Sequence, residues 1–183
     1  MKSLKIAAIF EMVGNTFRSL PDNRKGRNRM YEMADAAAGA FGVFFTQSPS
    51  FLAYQRDMER TKGRNNAASL FGVTQIPSDQ QMRNLLDEVE PSHLYEPFWT
   101  LQKQLEVAGY LDDHRGHQGS YLVAMDGTYY FSSQTIHCDN CTVHRHGEQR
   151  HYYHSAVTPV LVTPGKNRVY PVEPEFILPQ DGS

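Results

Sequence analysis

The chain has 183 residues and a net charge of −2, with 40% hydrophobic and 21% charged residues, the balance of an ordinary globular protein. Its longest apolar stretch, Ala36 to Phe45, is about ten residues and too short to span a bilayer; Glu11 interrupts the apolar run after Lys5, so no signal peptide is expected. Two cysteines, Cys138 and Cys141, are too few for a disulfide framework and fit a reducing, cytoplasmic setting.

Charge is unevenly distributed. Residues 1–65 hold 11 Lys/Arg against 6 Asp/Glu, and residues 66–183 hold 7 against 14. The first part therefore has the electrostatics of a polyanion-binding arm and the remainder does not.

In chain order, the first half reads as helical. Leu4 to Leu20 forms a first helix stopped by Pro21. Arg24-Lys25-Gly26-Arg27-Asn28-Arg29 is a basic loop with nothing apolar to bury, and Arg24, Lys25, Arg27 and Arg29 are candidate phosphate contacts. Met30 to Phe45 places Met33, Ala37, Phe41 and Phe44 at helical spacing. Ser48 and Pro49 suit the N-cap and first position of a third helix, Ser50 to about Lys62. Ala67 to Leu70 reads as a short helix. Ser78 would cap a helix over Gln80 to Val89, with Met82, Leu85, Leu86 and Val89 facing inward. With the short helix this makes a helix-turn-helix candidate, whose second helix exposes Gln80, Gln81, Arg83 and Asn84 for contact with bases or phosphates. Tyr95 to Ala108 is a further amphipathic helix ended by Gly109, and Asp112 to Gly119 is a polar linker.

From Ser120 the pattern changes to strands. Leu122 to Met125 is apolar at every position, the signature of a strand buried on both faces, and it runs into Asp126-Gly127-Thr128 and the aromatics Tyr129 to Phe131. A carboxylate at the end of a buried strand needs a cation or hydrogen bonds, so Asp126 is the first candidate metal ligand; the competing reading is an Asp-Gly turn whose carboxylate caps its own backbone. Tyr121–Met125 and Tyr129–Ser132 form either a pair of strands or one long bent strand. His151 to Thr163 is rich in β-formers, and Pro164 to Asn167 is a turn leading into Arg168–Val172. The expected fold class is thus α+β, with a helical region over 1–115 and a sheet region over 116–183. No helices follow to cover the sheet, so it reads as incomplete.

The densest cluster of metal-binding types is Cys138 and Cys141, followed by four histidines. His144 and His146 follow too closely for ordinary zinc-finger spacing; His151 and His154 lie at a better distance. Cys138, Cys141, His151 and His154 are accordingly the candidate zinc ligands, against the alternative of a polar hairpin with solvated histidines and a reduced cysteine pair.

Three groups of segments carry a resemblance. They are Ser50-Phe51-Leu52 through Gln55-Arg56, with Asn65-Asn66 and Leu70 to Asp79; Ala124 to Ser133 running into Ile136-His137-Cys138-x-x-Cys141; and Tyr153-His154 through Pro159-Val160, Pro164-Gly165 and Pro174 to Gly182. Together they resemble insertion-sequence DDE transposases, which carry an RNase H-like catalytic domain. The resemblance implies DNA, specifically transposon ends, as partner, and strand cleavage and transfer by Mg²⁺ ions held between three carboxylates. Asp126 matches the first carboxylate. Nothing in the resemblance assigns Glu173, Glu175 or Asp181 to the other two. The implied protein is a truncated relative with an incomplete RNase H-like sheet, inactive in strand transfer alone, able to associate with itself or with an intact transposase. The alternative expectation is a non-enzymatic, zinc-stabilised DNA-binding or regulatory module.

Overall fold

The computed structural model describes residues 5–25, 29–61, 72–73 and 77–179. Its helices are α1 (Ile6–Arg18), α2 (Met33–Phe45), α3 (Phe51–Thr61), α4 (Asp79–Leu86) and α5 (Tyr95–Val107). Its strands are β1 (Leu122–Ser133), β2 (Thr142–His146), β3 (Gln149–Val162), β4 (Tyr170–Pro171) and β5 (Glu175–Ile177). The class is α+β. The chain divides into a helical unit within residues 3–101 and a strand-rich unit within residues 102–183. The division falls inside α5, ahead of the boundary expected near residue 115. The end of α5 and the turns after it engage the sheet: the His114 imidazole meets the Arg168 carbonyl at 3.2 Å and the Tyr170 hydroxyl reaches the Tyr110 carbonyl at 3.5 Å. Among the described residues no helix is long and apolar enough to cross a membrane.

In the helical unit the core is built on α2. Its small residues Ala36, Ala37, Ala38, Gly39 and Gly42 are buried, and it packs with α1, α3 and α4. Phe17, Leu20, Tyr54, Met58, Val73, Met82 and Leu85 complete the cluster. A Cβ on Gly42 would overlap the Tyr54 hydroxyl, so glycine is required there for α2 and α3 to approach. The helix starts follow capping chemistry. The Ser78 hydroxyl accepts from the Gln81 N–H at 3.4 Å, as the sequence suggested. For α3 the cap is Ser50, whose hydroxyl accepts from Ala53 N–H at 3.1 Å, rather than Ser48. Gly109, at φ 78°, ends α5: its N–H donates to the Glu106 carbonyl and the next, of Tyr110, to that of Leu105, both at 2.9 Å, the paired bonds of a Schellman cap. The short helix expected over Ala67–Leu70 lies outside the described residues.

In the strand-rich unit β3 is the spine, and every pairing is antiparallel. One edge of β3 pairs with β1 along nearly its whole length; the other takes β2, then β5, then β4. The β2–β3 turn is Gly147-Glu148, with Gly147 at φ 64°, as a tight primed hairpin turn requires. Of the two readings for Tyr121–Ser132, the long single strand is the one formed. It carries a bulge at Tyr130, where the register shifts between Tyr129 and Phe131.

The expectation that Leu122–Met125 is buried on both faces fails. Leu122, Val123 and Met125 are exposed, Met125 to 71%. β1 pairs only with β3, and no layer of described residues covers it. An unbroken apolar run fixes strand character but not what covers the strand. The buried positions of this unit are few: Ala108, Leu111, His114, Cys141, Ala156 and Leu161.

Candidate metal centre

The loop between β1 and β2 turns tightly at Asp139-Asn140. Cys141 N–H donates to the Cys138 carbonyl at 3.2 Å, and Cys138 N–H donates to Cys141 Sγ at 3.3 Å. This turn brings the two sulfurs to 3.8 Å. His154, on β3, points its Nε2 at both, 3.3 Å from Cys138 Sγ and 3.3 Å from Cys141 Sγ. The three donor atoms lie within 4.8 Å of one another, a group able to hold a metal ion. Tetrahedral zinc, with Zn–S about 2.3 Å and Zn–N about 2.0 Å, requires S···S and S···N separations of about 3.8 Å and about 3.5 Å. The observed triangle agrees to a few tenths of an ångström.

The surroundings fix the imidazole. The bulge at Tyr130 sets Phe131 opposite His154, a common use of a bulge beside a site. Tyr130 stacks on the His154 ring (centroids 5.7 Å, 18°) and Phe131 leans on it (5.5 Å, 48°). Phe176 of β5 packs edge-on against Tyr130 at 5.6 Å. Burial pushes the Cys141 thiol up, while the Cys138 N–H opposes that shift. Burial, then the charges of the two cysteines, raises the Tyr130 phenol. A cation among these sulfurs would offset the cost of holding thiolate there.

His151 does not join the group. It lies three residues from His154 on a strand, so its side chain leaves from the opposite face. There it meets Gln134 at 3.3 Å and stacks over Tyr153 with centroids 6.3 Å apart. The expected four-ligand set is therefore corrected to Cys138, Cys141 and His154; the sequence gap to the second pair of histidines was informative, the strand parity decided between them. Tyr130, Phe131 and Phe176 escaped sequence reasoning. Only the aromatic triplet Tyr129–Phe131 hinted at them, and no sequence signal marks the bulge.

Asp126 lies within β1, opposite Thr158, and its side chain is exposed. It is neither at the end of a strand nor buried, and it belongs to no group of three or more metal donors among the described residues. This arrangement does not fit a carboxylate-held Mg²⁺ ion.

In the helical unit, Gln80, Gln81, Arg83 and Asn84 are all exposed on α4, while Met82 and Leu85 are buried. Gln80 bonds Asn84 at 3.0 Å and Arg83 pairs with Asp79 at 3.2 Å. The basic loop is less free than its composition suggested. Arg24 and Arg29 converge on the Asp22 carboxylate at 2.8 and 2.9 Å, and the Arg24 guanidinium holds Asp22 down to a pKa of about 2. Lys25 is exposed; Arg27 lies outside the described residues.

No protein-family model matches the chain, no curated protein matches it in sequence, and no solved structure matches it in fold.

Proposed function

We propose that the chain is a zinc-stabilised DNA-binding protein of the insertion-sequence transposase kind, without strand-transfer activity of its own. The observation that carries the reading is the convergence of Cys138, Cys141 and His154. Two of the segment groups that resemble the family, Ala124–Cys141 and the one opening at Tyr153-His154, meet at this group. A Cys₂His set favours zinc over Mg²⁺, which takes oxygen ligands. The ion's role is structural, joining the β1–β2 loop to β3 in a unit with little apolar core.

Asp126 is exposed and joins no group of three or more metal donors among the described residues, so the reading assigns it no two-metal chemistry, which needs several carboxylates around the ions. DNA contact is assigned to the exposed face of α4, through Gln80, Gln81, Arg83 and Asn84, assisted by Lys25 and its neighbours in the basic loop. A chain that binds transposon ends without cutting them would compete with an intact transposase or assemble with it. An electrophoretic shift assay with duplex DNA tests this. The expected outcome is binding that weakens steeply with salt and weakens further in a Gln80→Ala/Arg83→Ala variant. No shift at low salt removes the DNA-binding claim.

A further inference from the structure

The two sulfurs of the metal group do not share one environment. Cys138 is exposed and Cys141 is buried, and the turn residues between them, Asp139 and Asn140, are open to solvent. An oxidant diffusing to the site therefore meets the Cys138 sulfur first. The Cys141 sulfur waits 3.8 Å away and accepts a hydrogen bond from the Cys138 N–H at 3.3 Å. Accessible thiolates with a second, resolving cysteine beside them are the ones that oxidise reversibly. A disulfide places its sulfurs at about 2.05 Å. Both cysteines belong to one tight turn, so no distant element has to move to bring them together. The chain has only these two cysteines, which confines an intramolecular disulfide to this pair.

We infer that this centre is a redox switch, in which a peroxide joins Cys138 and Cys141 as a disulfide and expels the zinc. The inference rests on the assignment of zinc to these residues made above. The Cys138 thiolate attacks one oxygen of hydrogen peroxide, forming an S–O bond, breaking the O–O bond and leaving hydroxide. The Cys141 thiolate then attacks the sulfur of the Cys138 sulfenic acid, forming the S–S bond and releasing a second hydroxide. Two thiolates are oxidised, one peroxide is reduced, and the two hydroxides take protons from solvent to become water. The disulfide has no thiolate to offer the ion, and His154 alone leaves zinc one ligand of the three. The same step unties the β1–β2 loop from β3, so oxidation loosens the strand-rich unit. A thiol reductant reverses it, because neither sulfur has passed the sulfenic stage.

The test is titration of the full, zinc-loaded chain with hydrogen peroxide, read by a chromogenic zinc chelator and by a count of free thiols. One zinc should appear for every two thiols lost, and dithiothreitol with added zinc should restore both. Cys138→His replaces the attacking sulfur with a nitrogen ligand; it should keep its zinc at peroxide concentrations that empty the unaltered chain. Zinc content before oxidation separates the two claims. A reduced chain without zinc overturns the zinc assignment and the switch with it, whereas zinc that is present and survives peroxide overturns the switch alone. So does a loss that dithiothreitol fails to reverse, the mark of sulfinic acid, or release from Cys138→His as fast as from the unaltered chain.

Discussion

In the strand-rich unit three side chains converge, with their donor atoms within 4.8 Å of one another. Cys138 and Cys141 are preset by one backbone turn, and His154 reaches them from a strand that is adjacent only in space. Their neighbours set specificity: His151 offers the same chemistry but is excluded by the alternation of β3. His151→Ala should therefore leave metal binding intact, whereas His154→Ala should abolish it; equal losses in both would show that the ligand assignment is wrong. In the helical unit the residue with the clearest charge pairing is Asp22. Its folded pKa lies near 2, below the ordinary 3.8, so its contribution to stability is complete above about pH 4 and is lost as pH falls toward 2. Carboxylate titration by NMR should show this, and Arg24→Gln should return Asp22 toward its ordinary value. An Asp22 that titrates near 4 in the unaltered chain would contradict the pairing.

At the scale of elements, much of the helical half was legible because helix periodicity and caps are local signals. Ser78, Gly109 and the inward set Met82, Leu85 were readable directly. The exchange of Ser48 for Ser50 as a cap was not, since both hydroxyls precede the same apolar run. The sheet was half legible. The strands could be placed, but the exposure of β1 depends on its partners, which one sequence does not contain. The bulge at Tyr130, which seats Phe131 over His154, is a pairing property invisible along a single strand. Gly42 shows the same limit from the other side: a glycine in a helix costs stability in isolation, yet the approach of Tyr54 requires it. Gly42→Ala should destabilise the protein by about 1–3 kcal/mol through overpacking, measured by denaturant unfolding. A stabilised variant would mean that α2 and α3 do not approach this closely.

The two units of the molecule differ in what holds them together. Residues 3–101 contain one contiguous apolar cluster, while the strand-rich unit buries only a handful of apolar side chains. A small fold with so little core commonly depends on a metal or another staple. Chelation should consequently melt the strand-rich unit and leave helical circular dichroism largely in place. Loss of both signals together, or of neither, would contradict this division of labour.

Metal analysis of the purified chain tests the central claim most directly. One equivalent of zinc per chain is expected, disappearing in Cys141→Ser, and cobalt substitution should give the visible bands of a tetrahedral thiolate–imidazole site. A folded chain free of zinc, or a Cys141→Ser variant that retains it, would contradict the account.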